Sequence, residues 1–132
     1  MANLKFMQPQ EVEVLLVLPA IRRELAIEMK NLGLEQKKIA ELLSVTEAAV
    51  SQYMKSKRAV KIKFSQKALS AIKKSAKKIK DKQMMLSETQ ALLKLMKQLG
   101  ITCHSHKELA DVSRKCITCF SSEEESCCEN KN

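Results

Sequence analysis

Two short spacings near the end of the chain carry the donor chemistry of a metal site. Cys103 and His106 stand as C-x-x-H, and Cys116 and Cys119 follow nine residues later as C-x-x-C. Each spacing can form a knuckle in which backbone amides face a bound sulfur, and two knuckles close a tetrahedral Cys3His site of the structural zinc type. Zinc would staple a segment too small to hold a core of its own. Thiolates suit iron equally, so an iron–sulfur cluster is the alternative, held by Cys103, Cys116, Cys119 and a fourth ligand, either His106, Cys127 or Cys128. A cluster would turn the segment into a sensor. His104 is expected to face solvent, and Cys127 and Cys128 read as exposed thiols in the acidic run "SSEEESCCENKN".

The C-x-x-C has no setting for redox turnover, because no βαβ pattern surrounds it. No Ser-His-Asp, paired-carboxylate or phosphate-loop arrangement stands elsewhere. The expectation is a protein that is not an enzyme and takes no small-molecule substrate.

A second chemistry lies in the charge. Of a net +9, the excess is concentrated between Lys55 and Lys82, where twelve Lys or Arg stand against one acid, Asp81. The remainder is about neutral or slightly negative. A block of one sign seeks a polyanion, with nucleic acid or an acidic membrane surface as candidates. One Tyr, three Phe and no Trp argue against stacking on single strands.

Only two Gly and two Pro, with many Leu, Ile, Lys, Glu and Ala, predict an all-α fold. Pro9 and Pro19 each mark a possible helix start. Ile21, Leu25, Met29 and Leu32 give helix one, stopped by Gly33 and preceded by either a short helical turn or an extended arm from Glu11. Helix two runs from about Gln36 to Leu43, with Ser44 and Val45 in the turn. Thr46 caps helix three, about Glu47 to Lys55, whose apolar side is Ala49, Val50, Tyr53 and Met54. Ser65 caps a basic helix four that reaches about Lys80, with Ala68, Leu69, Ile72, Ala76 and Ile79 facing inward. "SETQ" from Ser87 has the capping-box form and opens helix five, carrying Leu92, Leu93, Leu95, Met96 and Leu99 and ended by Gly100. A short helix through Lys107 to Val112 would bring the two metal pairs together.

Helices two and three have the dimensions of a helix-turn-helix, in which one helix braces on the phosphate backbone and the next lies in the major groove. A steep crossing over a tight turn needs a small residue at the contact, an apolar residue in the turn and a buried one in mid helix three. Ala40, Val45 and Val50 supply them. The stretch "LEQKKIAELLSVTEAAVSQYMKSKRA" resembles the Cro and phage-repressor type of helix-turn-helix. From Pro19 to Ala59 the chain is also similar to a group of predicted archaeal transcriptional regulators with a Cys-rich C-terminus. It departs from the family at Ser44, where Gly is usual and where a left-handed turn costs Ser on the order of 1 kcal/mol.

The resemblance implies that Gln36 and Thr46 sit against phosphates and that Glu47, Ala48, Ser51 and Gln52 face the groove. The chemistry agrees: Gln52 can pair with adenine N6 and N7, Glu47 can accept from cytosine N4, and Ala48 can touch a thymine methyl. Lys55, Lys57 and Arg58 would then hold phosphates, which gives affinity without sequence choice.

The sequence therefore predicts a sequence-specific regulator of transcription that binds double-stranded DNA, as a homodimer because one short helix reads too few base pairs. Helix five is the candidate dimer seam, the alternative being that it packs on helix one. A non-specific nucleic-acid-binding or interaction module, using the basic face and a structural zinc knuckle, is the competing reading. The expected division is a helix-turn-helix domain over 1–62, a basic and a dimerisation helix over 63–100, a Cys/His metal segment over 101–120 and a disordered acidic tail over 121–132. The charge order around "VEVLLVLPAI" is wrong for a signal peptide and the run is too short to span a bilayer. A cytoplasmic protein with no membrane contact is expected.

Overall fold

Helix follows helix along the chain, with no strand among the described residues, which in this computed structural model are 8–55 and 62–109. In order they are α1 (Pro9–Val12), a π-helical segment (Glu13–Val17), α2 (Leu18–Asn31), α3 (Gln36–Leu43), α4 (Glu47–Met54), α5 (Gln66–Lys78), α6 (Lys82–Gln98) and α7 (Ile101–Leu109). The all-α expectation holds.

The first three elements are one continuous helix, because the residues at both junctions keep right-handed helical dihedrals. Pro9 does open it, and the Gln8 N–H donates to the Glu11 carboxylate at 3.0 Å. Pro19 does not begin a helix as its type suggested. A proline inside a helix lacks one N–H and crowds the carbonyl four residues back. The turn just before Pro19 is widened into the π form, the local adjustment that frees that space. The widening also stacks residues five apart, and Val12 and Val17 are both fully buried on one side.

Among the described residues, three left-handed ones end three helices: Gly33 (φ 92), Ser44 (φ 56) and Gly100 (φ 77). At Gly33 the Leu34 N–H reaches the Met29 carbonyl at 3.1 Å and the Gly33 N–H reaches Lys30 at 3.0 Å. Ser44 repeats this pattern: Val45 N–H donates to Ala40 at 3.0 Å and Ser44 N–H to Glu41 at 3.2 Å. Both are Schellman closures, which satisfy carbonyls that the helix leaves open.

Side-chain caps start the later helices. Thr46 Oγ1 accepts from Ala49 N–H at 3.0 Å, and Ser65 Oγ accepts from Ala68 N–H at 3.3 Å. The start predicted at Ser87 is wrong. Asp81 Oδ1 accepts from Met84 N–H at 2.8 Å and opens α6 six residues earlier, while Ser87 sits inside the helix with its hydroxyl donating to the Gln83 carbonyl. Burial of Met85, Thr89, Leu92 and Met96 at helical spacing holds that longer helix, and it outweighs the local capping pattern.

α2 is the spine. Ile21, Leu25 and Met29 are fully buried, and α2 packs on α3, α4, α5 and α6. The buried side chains form one cluster from Val12 to Met96, so segments 1–62 and 63–100 share a core. α6 rests on α5, α7, α3 and α2, with Leu92 and Met96 inside that core.

Candidate nucleic-acid interface

The turn of three residues between α3 and α4 carries the geometry. Ser44 reverses the chain, Val45 packs against the core, and Thr46 caps α4. Ala40 in α3 and Val50 in α4 are buried, as the crossing of two closely packed helices requires. The bounds of α3 are those read from the sequence, and α4 ends at Met54, one residue before the expected Lys55.

α4 has two sides. Ala49, Val50 and Tyr53 are buried, whereas Glu47, Ala48 and Gln52 are exposed and Ser51 is half-buried. At 100° per residue these four span an arc of about 140°, and Lys55 falls within it. All four residues expected to face a groove therefore share one open side, with an exposed cation at its end. Glu47 lies in the first turn, where the helix dipole favours an acid.

Gln36 takes a position that spacing did not reveal. Its Nε2 donates to the backbone carbonyl of Glu47 at 3.0 Å and so ties the start of α3 to the start of α4. The amide carries two N–H groups, and the second remains available for a phosphate oxygen. Thr46 likewise accepts from Ala49 and keeps its own hydroxyl proton to donate. Sequence reasoning passed over Lys37 and Lys38, which are exposed in the first turn of α3 beside Gln36. Their adjacency to Gln36 was the available signal. Lys57 and Arg58 lie outside the described residues.

The second basic surface is α5. Ala68, Ile72, Ser75 and Ala76 are buried, and α5 packs on α2 and α6. Lys67, Lys73, Lys74, Lys77 and Lys78 are exposed on the other side. Lys78 Nζ stands 4.0 Å from Glu88 Oε1, and with Lys78 mostly exposed this pair contributes little against solvent.

The chain matches no family model, no curated protein and no solved structure. What the interface does rests on its own residues.

At the C-terminal end, Cys103 and His106 lie in the middle of α7 and do not form a turn-type knuckle. At this spacing they stand one helical turn apart on neighbouring positions of one face, which lets two donors converge on one ion. His106 is buried and Cys103 half-buried. Cys116, Cys119, Cys127 and Cys128 lie outside the described residues, and those residues hold no cluster of three or more His, Cys, Asp or Glu side chains. His104 is exposed, as expected. Thr102, Ser105 and His106 make the buried side of α7 polar, which is why the sequence placed a helix only from Lys107, six residues after its start at Ile101; Val112, its expected end, lies outside the described residues. None of the helices among the described residues is long and apolar enough to cross a membrane.

Proposed function

We propose that the protein is a sequence-specific double-stranded DNA-binding regulator of transcription, of the Cro and phage-repressor helix-turn-helix type. The observation that carries this reading is the α3–α4 pair: a closed left-handed turn at Ser44, a Thr46 cap, and Glu47, Ala48, Ser51 and Gln52 gathered on the open side of α4. A helix that buries only one side against α2 and α3 leaves the other for the major groove. Gln52, Glu47 and Ala48 select bases, while Lys37, Lys38, Lys55, Lys57 and Arg58 hold phosphates. Regulation follows from occupancy of the site. The chain acts in the cytoplasm as a homodimer, catalyses nothing, and carries a metal at its C-terminal segment.

For the metal, Cys103 and His106 supply two donors from α7, and Cys116 and Cys119 complete a Cys3His set suited to structural zinc. An iron–sulfur cluster on the three cysteines is the alternative occupant.

The lysine side of α5 favours a second reading, in which the protein binds nucleic acid without choosing a sequence. Selection from a pool of random duplexes separates the two. Enrichment of one motif, lost on Gln52→Ala, is the expected result. Binding with no enriched motif would establish the non-specific reading and remove α4 from the groove.

A further inference from the structure

The largest exposed apolar side chains near the N-terminus stand next to each other. Val14 is 63% and Leu15 50% exposed, although Val12 and Val17 on the other side of the same helix are fully buried. Both belong to the π-helical segment, which turns the pair outward together. Leu18 and Pro19 are half-buried one turn further on. Glu11 precedes this apolar patch and Arg22 follows it, both half-buried and both on its side of the helix. The stripe thus runs acid, apolar centre, base.

Such a stripe is self-complementary. When two copies cross antiparallel, a two-fold axis at the midpoint between Leu16 and Val17 sets Leu15 against Leu18, Val14 against Pro19 and Glu11 against Arg22. A two-fold contact requires that residue i meet j while j meets i, and all three pairs share that one midpoint. Within a single chain Glu11 and Arg22 are about 16 Å apart along the helix and cannot pair. One Glu11 carboxylate oxygen accepts from the Gln8 N–H, and a carboxylate has a second oxygen that can accept from a cation.

We infer that this stripe on the N-terminal helix, and not α6, is the seam through which two copies of the chain associate. α6 spends Leu92 and Met96 on the core of its own chain. A contact one helix wide belongs with the small, transient interfaces below roughly 1,200 Å², so association is expected to be weak and concentration-dependent. The inference stands without the DNA reading. If that reading holds, two half-sites on one duplex raise the effective concentration of the second copy.

Sedimentation velocity of the full chain without DNA tests it, so that failure here leaves the groove assignment untouched. The expected result is a concentration-dependent dimer that Glu11→Arg and Arg22→Glu each abolish. Mixing those two variants should restore association, because only the mixed pair sets Arg opposite Glu at both ends. Leu15→Asp, at an exposed site away from the Gln8–Glu11 cap, should also give a monomer with an unchanged far-ultraviolet spectrum. A wild-type chain that stays monomeric at every concentration up to the millimolar range would overturn the inference. So would a dimer indifferent to Leu15→Asp, or two charge variants that stay apart when mixed.

Discussion

The amide of Gln36 donates to the carbonyl of Glu47 at 3.0 Å and makes the first residue of α3 a brace for the first residue of α4. A hydrogen bond of this kind is worth about 1 kcal/mol. It also fixes the axial position of Glu47 and, one turn on, of Ser51. Gln36→Ala should lower stability by about 1 kcal/mol and reduce affinity for the selected sequence more than for random duplex. A thermal melt combined with binding to both duplexes checks this. Were Gln36 only a phosphate contact, the melt would not move and both affinities would drop together.

Gln52 and Lys55 share the open side of α4 but have different tasks. Gln52→Ala should relax discrimination at one base pair by about 1–3 kcal/mol, with the other positions of the motif unchanged. Lys55→Ala should weaken every sequence alike and flatten the dependence of log affinity on log salt by about one unit. Fluorescence titrations against single-base variants at several salt concentrations distinguish the two. Equal effects of both substitutions on all sequences would show that α4 does not read bases.

The lysines of α5 are expected to extend the phosphate grip. Each lysine that neutralises a phosphate adds about 0.9 to the salt slope. Replacing Lys73, Lys74, Lys77 and Lys78 with Gln should flatten the slope by more than about one unit while the preferred motif stays the same. An unchanged slope would place this face away from the duplex.

Much of the α3–α4 pair was legible because its signals are local. The Ala40, Val45 and Val50 positions, the Thr46 cap and the Gly33 stop each act within one turn, and each is found where the residue types put it. Elements set by distant packing were not legible. The "SETQ" pattern at Ser87 is a valid cap in isolation, yet burial of Met85 on the turn before it extends α6 back to Asp81. Pro19 reads as a start, and only the π turn ahead of it lets the helix run through. The part of α7 before Lys107 hides for the opposite reason, since Thr102, Ser105 and His106 carry no apolar periodicity although all three are buried.

Ser44 and Gly33 allow the turn chemistry to be measured separately from packing. Ser44 holds a left-handed conformation (φ 56) that costs a side chain on the order of 1 kcal/mol. Ser44→Gly should therefore stabilise the protein by up to about 1 kcal/mol, reduced by the greater freedom of glycine in the unfolded chain. Gly33 sits at φ 92, and a Cβ built there meets nothing within 4 Å. Gly33→Ala should cost about 1 kcal/mol from the backbone alone, and compensating substitutions of neighbours should not recover it. Urea melts of both variants check the pair, and a destabilised Ser44→Gly would mean that the serine side chain contributes a bond worth more than the strain.

The C-terminal segment gives the last test, because α7 places two donors, Cys103 and His106, one turn apart while the other two come from residues further along the chain. Protein purified without oxygen should contain one zinc per chain and no visible colour. Cys103→Ser and Cys116→Ser should each lower zinc affinity by more than about tenfold, since losing a ligand costs more than losing a group that only orients one. Both should then behave as the chelator-treated wild type does in a thermal melt. Iron with equimolar sulfide and a visible absorption band would instead make the segment a cluster site, and DNA binding before and after exposure to air would then show whether the cluster controls occupancy. No metal in any preparation would leave Cys103 and His106 as packing residues of α7 and end the proposal that a metal staples this segment.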